Sequence, residues 1–181
     1  EMRGLTTLRG ERAGGKSTYP AVTHLVSLAS DVRARIGSDA MLTYAADWSE
    51  YFGHHLRDGS GDVSFHLDPL WASPDISAVG IDAYFPLSDW REGAHLDQNL
   101  ARDIYDLEYL QSQIEGGEGY DYFYGSDADR DAQIRSSITD GGAGKPWVFR
   151  YKDIRNWWSQ PHFDRVGGVE AAQLGADDEA E

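Results

Sequence analysis

The sequence contains no cysteine. That excludes disulfides, a thiolate nucleophile and any zinc site built on thiolates, while leaving the redox compartment open. Basic residues are scarce as well: 16 Lys and Arg stand against 31 Asp and Glu, for a formal net charge of −15. A chain this acidic repels phosphate backbones and anionic membrane surfaces, which argues against nucleic acid or a membrane face as partner. No apolar run approaches the roughly 18 residues of a membrane span, and no signal-peptide pattern opens the chain. The 181 residues suffice for one core but fall short of the roughly 250 of a typical (β/α)8 barrel. The first residue is Glu1 rather than Met, which predicts a chain beginning inside a larger protein. No repeat of solenoid length is present.

What the chain does contain is a rhythm of helix and strand. Pro20 suits a first helical turn, and Val22, Leu25, Val26, Ala29, Val32 and Ile36 recur at helical spacing before Gly37, predicting a helix from about 19 to 36. Residues 41–48 (MLTYAADW) and 79–86 (VGIDAYFP) each read as a buried strand that ends in Asp and aromatics, with Pro86 closing the second. A long polar connection, 49–74, separates them. A further helix is expected over 97–114, with Leu100, Ile104, Leu107, Leu110 and Ile114 on one face, and a shorter one over 127–138 with Asp127 as N-cap. Residues 1–9 look like the exit of a strand, 119–125 (GYDYFYG) like an aromatic loop, and 146–151 like a strand. Residues 153–158 equally suit a short helix. The acidic segment 171–181 is expected to be a disordered tail after a domain spanning 1–170. Helix, strand, long loop and strand is the order of α/β proteins with parallel strands, whose functional residues gather at strand C-termini.

At those ends stand Asp47 with Trp48, and Asp82 with Tyr84 and then Trp90. Glu1 follows a strand whose beginning would lie outside the sequence. Paired carboxylates at such positions suit glycosidic hydrolysis, which needs one protonated acid and one ionised nucleophile or base. Strand-end Asp residues also commonly bind backbone amides, and tryptophans more often pack in a core than stack on sugars. The histidines at 54, 55 and 66 with Asp68 match no helical metal motif, so no metal is expected. The acidic runs beginning at Asp58 and Asp127 fail as calcium loops, with Val63 and Ala132 where glycine is required. The GGKS at 14–17 lacks the rest of a phosphate-binding loop, and no Gly-x-Ser-x-Gly elbow is present, so no nucleotide cofactor or serine mechanism is expected.

Taken together, 1–6 (EMRGLT), 44–51 (YAADWSEY), 65–71 (FHLDPLW), 79–90 (VGIDAYFPLSDW), 116–122 (GGEGYDY), 145–158 (KPWVFRYKDIRNWW) and 167–170 (GGVE) resemble the glycoside-hydrolase TIM-barrel-like domain of gene transfer agent and phage-like tail proteins. The resemblance covers about residues 1–170. It implies a partial (β/α)8 barrel, about strands 4 to 6 with their helices, in the hub or baseplate component of a tail. The parent domain would hydrolyse or bind cell-envelope glycan, including peptidoglycan; the alternative is a non-catalytic structural or carbohydrate-binding tail module. By the same resemblance Glu1 falls at the acid/base glutamate, and Asp47, Trp48, Asp82, Tyr84 and Trp90 line the sugar site. Implied partners are glycan and other tail proteins. The implied location is the tail of a virion-like particle, after cytoplasmic assembly. The family's second catalytic glutamate, expected soon after GGVE, has no counterpart in AAQLGADDEAE. Glu170 matches GGVE rather than that motif.

Overall fold

The computed structural model describes residues 3–11, 17–140 and 143–170. Residues up to Ala83 together with those from Pro161 form one compact unit, and Tyr84–Gln160 forms a second.

In the first unit, α1 (Arg3–Thr6) precedes α2 (Pro20–Ile36), which starts at its proline and ends where the Gly37 amide donates to the Arg33 carbonyl. Val22 and Ala29 are the buried positions of its apolar stripe. Arg33 ties this helix to the strands: its guanidinium donates to the carbonyls of Gly37, Ala40 and Asp75 and to the Ser77 hydroxyl. Residues 40 and 77 lead directly into β1 (Thr43–Asp47) and β4 (Ala78–Asp82), so one side chain fixes where both strands begin. The two strands pair in parallel from Thr43 against Ala78 to Asp47 against Asp82. Between them come β2 (His54–His55), β3 (Val63–Ser64) and α3 (Asp68–Trp71). β2 and β3 join the C-terminal hairpin β7 (Arg165–Val166) and β8 (Val169–Glu170) in a four-stranded sheet of order β2-β3-β7-β8.

The second unit has little regular structure. It contains 3₁₀ turns at Leu96–Asn99 and Pro146–Phe149, α4 (Leu107–Ser112), α5 (Asp127–Asp131), α6 (Ile154–Ser159) and a short antiparallel pair, β5 (Tyr122–Phe123) with β6 (Ser136–Ser137). Its core is largely aromatic, with Tyr109, Tyr122, Trp147 and Trp157 buried.

No closed barrel forms among the described residues, and a partial one was expected; the parallel sheet has two strands. Several other expectations are corrected. Along β1 only Ala46 is buried, and β4 has no buried residue. Parallel strands are usually buried on both faces, and a two-stranded sheet has too few neighbours to achieve that. β4 stops at Asp82 rather than Pro86, because its partner turns away: the Asp47 carbonyl already accepts from the Glu50 and Tyr51 amides. Residues 3–6 are helical rather than a strand exit. The single helix over 97–114 is instead a 3₁₀ turn and the short α4. Asp103 accepts from the Tyr105 amide, and Asp106 from the amides of Glu108 and Tyr109, so aspartates close turns inside the apparent helical period and restart it. Leu100, Ile104, Leu107 and Ile114 are consequently exposed. Ser126, not Asp127, caps α5, and the rest of the expected helix contains β6. The 119–125 loop contains β5, and 146–149 is a 3₁₀ turn rather than a strand, whereas 154–159 is the short helix expected there, with Asp153 as N-cap.

Candidate functional site

The parallel register sets Asp47 and Asp82 opposite each other at the C-terminal ends of β1 and β4. Adjacent strands lie about 4.8 Å apart, so two carboxylates leave the sheet side by side. Their environments differ. Asp47 is half-buried, and its Oδ1 accepts from the Ser49 amide at 2.8 Å and from the Ser49 hydroxyl, closing the turn after β1. Asp82 is exposed, and its carboxylate meets no hydrogen-bond or ion-pair partner among the described residues. The Trp48 amide donates to the Asp82 carbonyl, extending the pairing by one step and holding Trp48, half-buried, at the same edge.

Sequence reasoning missed the third carboxylate here. Glu50 is 2 % exposed. It accepts from the Thr6 hydroxyl, from the Tyr44 hydroxyl (3.3 and 3.2 Å to its two oxygens) and from the Asp47 amide at 3.3 Å. Burial, and then the neighbouring Glu50 charge, push the Tyr44 phenol above its ordinary range, so Tyr44 stays a neutral donor. The only sequence signal was a glutamate three residues beyond a strand-end aspartate, inside a stretch read as polar connection. This clamp joins α1 to the mouth of β1. Glu50→Ala orphans three donors and is expected to cost about 3 kcal/mol of the first unit's stability, against roughly 1 kcal/mol for Glu50→Gln, which keeps one acceptor oxygen. Urea denaturation followed by tryptophan fluorescence measures both; equal midpoints for wild type and Glu50→Ala would refute the clamp.

Tyr84 and Trp90 lie in the second unit. Tyr84 is 71 % exposed. Trp90 is half-buried, packed edge-on against His95 (ring centroids 4.5 Å) and Tyr109 (6.1 Å). Around it lies an ion-pair knot. Asp89 accepts from Arg91 (2.9 Å), Arg135 (2.7 Å) and the Tyr124 hydroxyl (2.6 Å). Burial opposes its charge, but those hydrogen bonds outweigh it and hold the carboxyl below its ordinary range. Arg135 also pairs with Asp97, which is 1 % exposed and accepts from the Tyr109 hydroxyl. Every charge in this knot is spoken for, which suits holding a fold together better than binding substrate.

Glu1 lies outside the described residues, as do 12–16, which hold most of the GGKS run, and 171–181. Among the described residues no group of three or more His, Asp or Glu is arranged to hold a metal ion. Glu170 is buried and ion-paired to Arg165 at 3.0 Å, a hairpin strut. No described helix is long and apolar enough to cross a membrane.

No curated protein matches the chain. A family model described as the GTA TIM-barrel-like domain matches residues 1–178, nearly the whole sequence. The parallel pair with Asp at both C-terminal ends follows the helix α2 in the chain. The chain belongs to the GTA TIM-barrel-like domain family.

Proposed function

We propose that this domain is a glycoside-hydrolase-like partial barrel within a gene transfer agent tail protein, and that it engages cell-envelope glycan at the C-terminal ends of β1 and β4. One observation carries the reading: Asp47 and Asp82 emerge in register from adjacent parallel strands, with Asp82 exposed and without a side-chain partner among the described residues. An exposed carboxylate at a strand mouth accepts sugar hydroxyls, and Trp48 supplies an aromatic face for the C–H side of a pyranose. The two strands correspond to part of a barrel wall about strands 4 to 6, and their poor burial is what such a wall has without its neighbours. Glu1 is the proposed acid/base residue. The domain is assigned to residues 1–170 and to the baseplate region of a virion-like particle.

A second reading has its own support. A retaining glycosidase needs two carboxyls about 5 Å apart, both open to substrate. Asp47 is engaged by Ser49, and Glu50 is enclosed by three donors. Neither is free to act as nucleophile, which favours glycan binding without turnover by this chain. Co-sedimentation of the chain with purified peptidoglycan sacculi tests the common part. Retention is expected, and Asp82→Ala is expected to weaken it about tenfold, the loss of one or two hydrogen bonds to a charged group. Absence of retention would sink the glycan assignment. Release of reducing ends separates the two readings: Glu1-dependent turnover, abolished in Glu1→Gln, establishes catalysis, and background release with retained binding establishes the binding module.

A further inference from the structure

At the N-terminal end of α2, the 64–69 segment and Asp164 help to line a cavity of about 450 Å³. That lies within the roughly 300–1,000 Å³ of small-molecule sites. Neither Asp47 nor Asp82 is part of its lining. His66 is, and it is only 4 % exposed, yet neither of its ring nitrogens has a hydrogen-bond partner among the described residues. Buried polar groups are almost always satisfied, so an imidazole with both nitrogens idle beside a cavity calls for an account.

The surroundings keep His66 neutral. Burial, then the neighbouring His54, lowers its pKa to about 4. The Ser64 carbonyl pulls the other way without reaching either nitrogen in hydrogen-bond geometry. A neutral imidazole offers one donor and one acceptor, the same pair that a hydroxyl group presents in return. Tyr19 packs against the His66 ring at 5.1 Å, and its hydroxyl lies 3.1 Å from His54 Nδ1, which limits how far the imidazole can turn.

The lining also limits the ligand. It holds no Lys or Arg, and its carboxylate, Asp164, accepts from the Phe65 amide at 2.9 Å. Among the described lining residues the one acidic or basic side chain besides His66 is this carboxylate, which disfavours an anion. A metal ion would lack a ligand set. Val22 and Pro69 contribute an apolar wall, while Tyr19 and Ser64 bring hydroxyls. We propose that this cavity binds one neutral sugar residue, its hydroxyls paired with the two ring nitrogens of His66 and its C–H face against Val22 and Pro69. The assignment rests on the glycan reading above for its ligand class, and places a sugar contact away from the strand ends.

Histidine side-chain ¹⁵N NMR of the 181-residue chain tests it, with N-acetylglucosamine, glucose and inorganic phosphate as probes. The His66 ring nitrogens are expected to shift saturably with at least one sugar, with a Kd of millimolar order, and not with phosphate. Val26→Trp fills the cavity from its wall and leaves His66 in place. It should weaken the response about tenfold or more, as should the loss of affinity in His66→Phe followed on the backbone amides. Ring nitrogens that ignore both sugars, that respond to phosphate, or that respond equally in Val26→Trp would overturn the proposal. Asp82→Ala is the control separating it from the strand-end site: that variant should weaken sacculus retention about tenfold while keeping the His66 response.

Discussion

Asp97→Ala is expected to destabilise the 84–160 unit by about 3–5 kcal/mol, the range for breaking a buried ion pair from one side. Asp97 is almost inaccessible and accepts from three donors: Arg135, the Tyr109 hydroxyl and, at 3.3 Å, the Asp89 amide. Alanine leaves a guanidinium and a phenol facing a cavity. The loss should lie toward the lower end of that range, because Arg135 retains Asp89 at 2.7 Å and Tyr109 retains the Ser88 hydroxyl at 3.2 Å. Asp97→Asn preserves shape and one acceptor oxygen and should cost about 1–2 kcal/mol, the difference reporting the charge. Urea unfolding monitored by tryptophan fluorescence gives both numbers. A loss below about 1 kcal/mol for Asp97→Ala would show that the knot adds little beyond what water provides.

That unit leans on such a knot because many of its aliphatic side chains stay outside its aromatic core. Leu96, Leu100, Ile104, Leu107 and Ile114 are all exposed. Cation–π contacts reinforce the polar framework, with Arg135 4.2 Å from the Tyr122 ring centroid and Arg130 4.7 Å from that of Tyr124. The first unit is held differently: α2 packs against α3, and Arg33 bolts the helix end to both strand entrances.

What was legible in the sequence follows the same division. α2 carries a Pro start, a sustained period and a Gly stop, and the structure has all three. β1 and β4 were legible as β-branched and small residues ending in Asp, and their parallel relation followed from the helix and the long connection around them. In the second unit the period of leucines from 97 to 114 was misleading, since the cost of closing turns around Asp103 and Asp106 is local and the packing that would reward a helix is missing. Of the site, the two strand-end aspartates were readable because register alone brings them together. Glu50 and His66 were not. Each acquires its character from burial by segments distant in sequence, Thr6 for one and Tyr19 for the other, and burial of that kind leaves no mark in local spacing.

Gly119→Ala is expected to be among the most damaging single-methyl changes in the molecule, at about 4 kcal/mol. Two separate costs combine in that figure. Gly119 has φ +83°, a left-handed conformation that charges a side chain about 1–2 kcal/mol. A Cβ there would also collide with Tyr151 Cζ and Cε2, and overpacking of a rigid ring costs about 1–3 kcal/mol. Escape is restricted on both sides of the residue. The Gly119 amide donates to the Tyr122 carbonyl at 2.8 Å, and its carbonyl accepts from the Lys152 amide at 3.2 Å. Lys152 is itself fixed, its ammonium donating to the Pro86 and Gly116 carbonyls at 2.7 and 2.8 Å. Gly93, with φ +79° and open space around it, supplies the control: Gly93→Ala should show the backbone cost alone, about 1 kcal/mol. The steric share is then read from a double-mutant cycle. Tyr151→Ala costs stability by itself but removes the ring, so adding Gly119→Ala to it should cost no more than Gly93→Ala does. A Gly119→Ala penalty that persists undiminished without the ring would mean that backbone conformation, not the Tyr151 contact, requires glycine here.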